Sequence, residues 1–544
     1  MTVSSEAAKP EVFTRKASGL VRVMSPLSAF IYNVLTMGLI FPWTYLWAPG
    51  ALPGGKLVWG ILLAMVIEIP IAFVYVWLST ALPRSGGDYV FQSRVFGGGI
   101  AFTVVMSGYV IWILQWVALS GWLLSYLGFA PLFLGLGATT GNATLADIGI
   151  WFTTSWGIVI TSILNAFIAL LILATGFKNY VRLQTVMIVA TLIAFATMLI
   201  VLLTSSPLAS ALKLDEFAMA ISGVPNFVQT AIDATVAAGI DLTPPFSLLA
   251  TILVAPIAWT SLQWATYSAQ QNGEIKDARS FKSQSFIIVG SLIFTGLLLA
   301  FLAYALESAV GDQFLYVAGA GYWSGLPEAT ISGFWLWPNI IAVALTASPI
   351  VVLLIGVGYI LNSHQIVHNC YIGMTRVMVA MSLDRLLPEW VSEVNERYHT
   401  PVNAHIAYFV ASIPVILVYN LWGQWAALTL GVTFACGYVF VITCLAGALL
   451  PFRAKEVYEA SPGAKYKIGG VPVVTILGLI GFVFGAIMVM LFMLYPELGL
   501  TSGLAYTVVA GVLIVSAVWY FLAKAAQRRR GINVDYAFKE IPPE

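Results

Sequence analysis

The chain has 544 residues, of which 60% are hydrophobic and 9% are charged, and its formal net charge is +1. Soluble domains carry about 25% charged residues, because a surface that faces water has to be solvated. This composition excludes a soluble globular protein, and the near-zero net charge argues against nucleic acid as a partner. The three cysteines, an odd number in or beside apolar runs, do not indicate a disulfide framework.

Apolar runs long enough to cross a bilayer recur along the whole chain. A helix needs about 20 apolar residues to cross about 30 Å of hydrocarbon, since it rises about 1.5 Å per residue. A β-barrel would instead show short alternating segments, which this sequence lacks. We therefore predict an all-α integral membrane protein with about twelve transmembrane helices in a lipid bilayer. The predicted spans are 25–47, 57–82, 98–127, 152–175, 184–204, 247–268, 284–306, 348–376, 402–420, 424–450, 471–495 and 502–523.

The basic residues between the spans predict the orientation of the chain. With twelve spans and a cytoplasmic N-terminus, every lysine and arginine except Lys56 and Lys213 falls on the cytoplasmic side. Splitting 334–383 into two spans would spoil that bias, so 334–347 is predicted to be an outside or re-entrant helical segment. The prediction is a multi-pass protein of the plasma (cytoplasmic) membrane, with cytoplasmic tails at 1–24 and 524–544.

Three motifs lie in the predicted cytoplasmic segments. The first, LSTALPRSGGDYV from Leu78, follows the second span. Its proline and glycine pair indicate a turn, and Asp88 is placed to cap a short amphipathic helix that runs through Arg94. The second, GEIKDAR from Gly273, follows the sixth span. The third follows the eighth span and consists of Arg376, AMSLDRLLP and RYHTPVNA.

In this order, the three motifs resemble those of the amino acid–polyamine–organocation (APC) superfamily, and the resemblance covers roughly residues 20–450. The chain departs from the family pattern at Trp77, where an acidic residue is usual, and at Arg385, where glycine is usual. The resemblance implies an amino acid permease with the LeuT-type fold, a 5+5 inverted repeat in which helices 1 and 6 are broken. The implied parts are a first inverted repeat at 25–204, an extracellular loop at 205–246, a second inverted repeat at 247–450 and two C-terminal helices at 471–523.

A broken helix presents unpaired N–H groups to an anion and free carbonyls to a cation, so the breaks are the predicted substrate site. The glycine-rich break of the family aligns with Thr36 to Phe41, and one of its two glycines is present. The resemblance implies that this segment holds the substrate carboxylate. The predicted substrate-binding residues of span 1 are Asn33, Thr36, Met37 and Gly38.

Span 6 contains Pro256, which lacks a backbone donor and is predicted to break or kink the helix. The resemblance implies that an aromatic residue beyond it closes over the substrate. Trp259 is the predicted gate and Trp264 is the alternative, although both could be ordinary packing residues. The predicted substrate-binding residues of span 6 are Ala258, Trp259, Ser261 and Gln263.

Ionisable groups inside a membrane are costly, so each is a functional hypothesis. Glu68 lies in the middle of span 2 and could carry a proton, bind a cationic side chain or pair with a hydroxyl. His364 and His368 share one face of span 8 and could relay protons or could bond neighbouring helices. The histidine pair supplies too few ligands for a metal site.

The coupling ion is left open by the sequence. Some proton-coupled relatives keep a lysine in span 5, and Thr191 falls nearest that place here. A sodium ion would take oxygens from spans 1 and 8, to which Asn362 and Ser363 could contribute. Sodium, protons and ion-independent exchange all fit, and no cofactor is predicted.

These features predict a secondary active transporter of amino acids that works by alternating access. Span 3 from Ser107 to Trp116 is aromatic and mostly uncharged, which favours a neutral substrate. A cationic amino acid or a polyamine, carried by a transporter or an exchanger, is the alternative if Glu68 reaches the pocket. A membrane sensor that does not transport is the alternative from another class. The polar residues form no nucleophile–base pair or metal set, so an enzyme is not predicted.

Overall fold

The structure, a computed structural model, describes residues 18–40, 43–423, 425, 430–499 and 503–540, with the backbone alone over 430–436. The N-terminal tail as far as residue 17, and Phe41 at the end of the aligned break, lie outside the described residues. In the described part, ten helices are long and apolar enough to cross a membrane, and two shorter apolar helices accompany them. The chain is thus all-α, as predicted, apart from one antiparallel pair of two-residue strands, Lys467–Ile468 and Val471–Pro472.

The twelve apolar helices overlap the twelve predicted spans, and their numbers are kept. Spans 1 to 6 are Pro26–Met37 with Thr44–Ala51, Leu57–Ala81, Gly98–Thr140, Ser155–Ala174, Phe177–Leu203, and Leu248–Leu262 with the 3₁₀ helix Gln263–Glu274. Spans 7 to 12 are Phe281–Trp323, Pro349–Leu383, Val402–Leu421, Leu430–Arg453, Val473–Leu494 and Gly503–Arg529. The shorter helices between them include Gly87–Phe96, Ala143–Trp151, Pro207–Ser222, Phe227–Ala237, Pro338–Ala344 and Lys455–Glu459. Span 3 is wound as a π-helix over Met106–Ile111 and Leu123–Phe129.

The distribution of side chains is the reverse of that in a soluble protein. On span 4, Leu164, Phe167 and Leu171 are exposed, while Glu68 and Arg376 are completely buried. Lipid accepts apolar side chains at the surface, and polar groups are sheltered in the bundle interior. The molecule is therefore built for a bilayer.

Span 1 is two helices separated by a break. The first helix starts at Pro26 behind the N-cap Ser25, whose hydroxyl accepts the Ser28 N–H at 3.1 Å. It ends at Gly38, whose φ of 75° is left-handed and suits glycine. The helix resumes at Thr44. The break therefore lies where the sequence aligns with the family break.

Span 6 is interrupted later than predicted. The α-helix runs through Pro256 to Leu262 and changes to a 3₁₀ helix at Gln263, with non-helical angles at Gln271. Pro256 was predicted to break or kink the helix, and it does not break it, because a membrane helix absorbs the loss of one backbone hydrogen bond. Pro70 and Pro414 also lie inside continuous helices.

Backbone packing fixes the second half of span 1 to span 7. Gly50 and Gly319 face each other so closely that a Cβ on either residue would overlap the backbone of the other. Only glycine permits this approach. The helix Thr44–Ala51 is thus in direct backbone contact with Phe281–Trp323.

Two regions outside the spans are helical. The segment 205–246 contains two helices, and the first is joined to span 7 by the Ser210 hydroxyl, which donates to the Ala309 carbonyl at 2.7 Å. The helix Pro338–Ala344 lies in the segment predicted to be helical. It is followed by the single 35-residue helix of span 8, so 334–383 does not form two long spans.

Candidate functional site

Asn33 joins the two interrupted helices. Its Nδ2 donates to the Ser268 hydroxyl at 3.0 Å and to the Ile287 carbonyl at 3.2 Å, and its Oδ1 accepts the Ser268 N–H at 2.9 Å. The side chain is completely buried. Asn33 thus holds the first half of span 1 against the 3₁₀ part of span 6, so in this conformation its amide is already bonded to protein groups.

Thr36 belongs to a polar network between spans 1, 5 and 8. Its hydroxyl donates to the Tyr32 carbonyl at 2.6 Å and accepts from Asn369 Nδ2. Asn369 Oδ1 in turn accepts from the Tyr180 hydroxyl and from Gln365 Nε2, each at 2.8 Å. A substrate carboxylate would have to displace one of these contacts to bond Thr36. Met37 and Gly38 follow at the end of the helix, and both are buried.

Trp259 contacts spans 2 and 10. Its indole Nε1 donates to Glu68 Oε2 at 2.6 Å. Its ring lies 6.2 Å from the ring of Phe440, and both Trp259 and Glu68 are fully buried. The two residues were singled out from the sequence for separate reasons, and the structure brings them into contact.

Trp264, the alternative gate, lies in a cluster of aromatic rings. Ring centroids are 5.5 Å away for Trp116, 6.3 Å for Tyr109, 5.4 Å for Tyr267 and 6.0 Å for Phe440. We call these five residues the central aromatic cluster. Span 3 is predicted to line the substrate pocket. Trp264 contacts Tyr109 and Trp116 of span 3, which makes it the better placed of the two candidate gates.

The central aromatic cluster carries polar atoms with no hydrogen-bond partner among the described residues. They are Nε1 of Trp116, Nε1 of Trp264 and the hydroxyl of Tyr267. The neighbouring Gln263 also has a free Oε1. Buried polar atoms of this kind are normally satisfied, so they are available to a bound molecule. Ala258 and Ser261 are buried on the same stretch of span 6.

The sequence did not single out Tyr267 and Phe440. Tyr267 follows Trp264 at helical spacing, which is a usable signal. Phe440 lies in a uniformly apolar run, and nothing in the sequence marks it as a member of the cluster.

The candidate sodium ligands are only partly together. Asn362 Nδ2 donates to the Leu35 carbonyl at 3.4 Å, so span 8 reaches the last turn of the first half of span 1. Asn362 Oδ1 and the Ser363 hydroxyl have no partner in the described part of the chain. The Thr191 hydroxyl is bonded to the Met187 carbonyl of its own helix at 2.8 Å.

The two histidines of span 8 are bonded to protein groups. His364 Nδ1 lies 2.6 Å from Asn165 Oδ1 of span 4, and His368 Nδ1 lies 2.9 Å from the His364 carbonyl. With oxygen acceptors at both positions, each ring carries its proton on Nδ1. A third buried histidine, His405, accepts at Nε2 from Arg376 at 3.3 Å, and the sequence did not point to it.

The three sequence motifs meet at one end of the bundle, which we call the polar end. Arg376 binds Glu274 through two contacts of 2.7 and 3.0 Å, and both side chains are buried. Arg94 binds Asp384 at 2.9 Å in a second buried pair. Glu274 belongs to the second motif, Arg376 and Asp384 belong to the third, and Arg94 lies on the helix Gly87–Phe96, which continues beyond the first motif. Two ion pairs therefore join the third motif to the second motif and to this helix.

Asp88 links four elements at this end. Its carboxylate accepts from Gln270 Nε2 and from the Thr443 hydroxyl, each at 2.5 Å, and from the Tyr75 hydroxyl. Burial raises the pKa of Asp88, although these hydrogen bonds lower it. The predicted capping role is wrong, because the N-cap of the helix Gly87–Phe96 is Gly86 and the Asp88 carboxylate is taken up by tertiary contacts.

A second aromatic group, which we call the aromatic end, joins span 3 and the segment between spans 7 and 8 to the start of the second half of span 1. Trp43, at the start of the second half of span 1, lies 5.5 Å from Trp122 and 5.0 Å from Trp337. Tyr126 stacks on Trp122 at 4.6 Å and on Phe334 at 4.3 Å. The interrupted helices lie between this end and the polar end.

A family model described as "Amino acid permease" matches residues 25–516, which is nearly the whole chain. Among curated proteins, "Uncharacterized protein 399" of Sulfolobus islandicus rod-shaped virus 1 is 32% identical over 102 residues. That stretch is 17% of this chain and 26% of the viral protein. The chain thus covers about a quarter of that relative.

Proposed function

The chain belongs to the amino acid permease family, and we propose that it is a secondary active transporter that moves an amino acid across the membrane by alternating access. The observation that carries the proposal is that two α-helices change course inside the bundle and are tied together by Asn33. Span 1 breaks at Gly38, and span 6 changes to a 3₁₀ helix at Gln263 with non-helical angles at Gln271. Helices that stop inside a bundle leave backbone groups free to bind the charged ends of an amino acid.

In this proposal the two charged groups bind at different helix ends. The first half of span 1 ends at Met37, where backbone carbonyls carry partial negative charge and suit an ammonium group. The second half of span 1 begins at Thr44, where free N–H groups suit a carboxylate. Thr36, Ser261 and Gln263 supply side-chain contacts, and Trp264 covers the bound molecule.

The central aromatic cluster supports a neutral substrate. Its five side chains carry no charge, and its free indole N–H groups can bond a polar atom. Aromatic faces also attract cations, so a cationic amino acid or a polyamine is the competing substrate. The Glu68 carboxylate accepts the Trp259 indole N–H, so one of its oxygens is already bonded to a protein group, which favours the neutral substrate.

Uptake by the purified protein in liposomes tests the proposal. We would measure labelled neutral and cationic amino acids and polyamines under inward proton and sodium gradients, and exchange with preloaded substrate. We expect concentrative uptake or exchange of a neutral amino acid. We also expect Trp264→Ala to lose it while Trp156→Ala, at a tryptophan 62% exposed on the surface of span 4, retains it.

Two results would contradict the proposal. Equal uptake by the Trp264 and Trp156 variants would remove Trp264 from the substrate site. Amino acid binding without uptake or exchange would favour the sensor.

A further inference from the structure

Glu68 is a buried carboxylate whose two oxygens differ. Oε2 accepts the Trp259 indole N–H at 2.6 Å, while Oε1 is inaccessible and has no hydrogen-bond partner among the described residues. An ionised carboxylate in the middle of a membrane span is costly unless its charge is compensated. The free oxygen is therefore a place where a proton can bind.

In the described part of the chain, no lysine, arginine or histidine forms an ion pair with Glu68, whose Oε2 is bonded to the Trp259 indole and whose Oε1 has no partner. Span 11 has no ionisable side chain, and Glu274 of span 6 is already paired with Arg376. On span 7, Glu307 and Asp312 lie by Lys56, twelve residues before Glu68 and thus about 18 Å along span 2.

On span 10, Cys444 is a buried free cysteine, and a thiol supplies no positive charge. Tyr75, seven residues after Glu68 on the same helix, donates to Asp88. Neither group is a cation that could hold Glu68 permanently ionised.

Trp259 connects this carboxylate to the proposed substrate site. It lies in the last turn of the α-helical part of span 6, beside Ser261 and four residues before Gln263. A hydrogen bond to an ionised carboxylate is about twice as strong as one to a neutral group. Protonation of Glu68 would therefore weaken the link between spans 2 and 6 at the point where span 6 is interrupted.

We propose that Glu68 binds the coupling proton of the transport cycle and that Trp259 transmits its protonation state to span 6. The step is a reversible protonation: Oε1 gains a proton from water on one side of the membrane and returns it to water on the other. The inference rests on the proposed transport function and adds the identity of the coupling ion and its site.

The test uses the full-length protein in liposomes and the substrate on which the wild type is active. Glu68→Gln keeps an oxygen for the Trp259 N–H but cannot ionise. We expect it to lose uptake driven by a proton gradient, and substrate-dependent acidification of the lumen, while it keeps exchange. Glu307→Gln, an acid of another span, is the matched control and should keep all three activities.

Trp259→Phe tests the hydrogen bond between Trp259 and Glu68. This variant removes the indole N–H but leaves Glu68 able to titrate, so we expect exchange to continue with its pH dependence displaced from that of the wild type. Glu68→Gln could lose exchange as well as proton-driven uptake. In that case the pH dependence of exchange in Trp259→Phe is the deciding measurement, and a pH dependence equal to that of the wild type would overturn the proposal.

Failure of this inference differs from failure of the transport proposal. Proton-driven accumulation by Glu68→Gln at the wild-type level, or accumulation by the wild type with sodium alone, would overturn the role of Glu68 and leave transport standing. A wild type with neither uptake nor exchange would overturn both.

Discussion

At the polar end, two buried arginine–carboxylate pairs join the third motif to the second motif and to the helix Gly87–Phe96. At the aromatic end, the elements are joined by contacts between the rings of Trp43, Trp122, Tyr126, Phe334 and Trp337. A buried ion pair is stable only while its two side chains keep their relative geometry. Losing one partner leaves an uncompensated charge in the protein interior, which is strongly destabilising. Stacked rings are less demanding in geometry, and each pair adds about 0.5–1.5 kcal/mol beyond burial. The comparison indicates that paired charges hold the polar end in one specific geometry, while stacking at the aromatic end tolerates small adjustments.

The largest expected effect comes from breaking one ion pair of the polar end. Arg376→Ala leaves Glu274 charged and buried, which costs about 3–5 kcal/mol of stability. Unfolding of the purified protein in detergent measures the loss, and Arg397→Ala at an exposed arginine is the control. Replacing both Arg376 and Glu274 by leucine should recover most of the loss. Equal stability of the Arg376 and Arg397 variants would contradict the ion-pair argument.

A smaller effect is expected at Asp88. Asp88→Ala strands the donors of Tyr75, Gln270 and Thr443, and we expect a loss of about 3 kcal/mol in the same measurement. Asp88→Asn should lose only about 1 kcal/mol, because Gln270 can turn its free Oε1 toward the new amide. Identical losses in the two variants would show that the charge of Asp88, rather than its hydrogen bonds, is what stabilises this end.

The smallest expected effect lies at the aromatic end. The Tyr126 hydroxyl donates to the Gly333 carbonyl at 3.2 Å and accepts the Trp335 N–H at 2.9 Å. Tyr126→Phe removes both bonds but keeps the stacking, so we expect a loss of about 1 kcal/mol. Tyr304→Phe, at an exposed tyrosine, is the control in detergent unfolding. A loss as large as that of Arg376→Ala would erase the difference between the two ends.

The fold could be predicted from the sequence further than the site could. Span lengths follow from bilayer thickness, so twelve apolar helices occur where apolar runs predict them. The break in span 1 has a local signal in Gly38. The break in span 6 has none, because Pro256 is absorbed into the helix and the change at Gln263 occurs without glycine or proline.

The contacts of the candidate site depend on how distant helices pack. Arg376 and Glu274 were visible as motif residues, but they are 102 positions apart and only the fold pairs them. Glu68 and Trp259 were each singled out, yet their hydrogen bond joins residues 191 positions apart. Pattern and spacing identify which side chains matter, and the packing of helices decides which of them touch.

The close approach of Gly50 and Gly319 divides span 1 into parts with different attachments. Glycine at both positions lets the helix Thr44–Ala51 and span 7 pack backbone against backbone. The helix Pro26–Met37 is instead attached to span 6 through Asn33. The two halves of span 1 therefore have different partners, and the Gly50–Gly319 pair is a reference point from which movement of Pro26–Met37 can be measured.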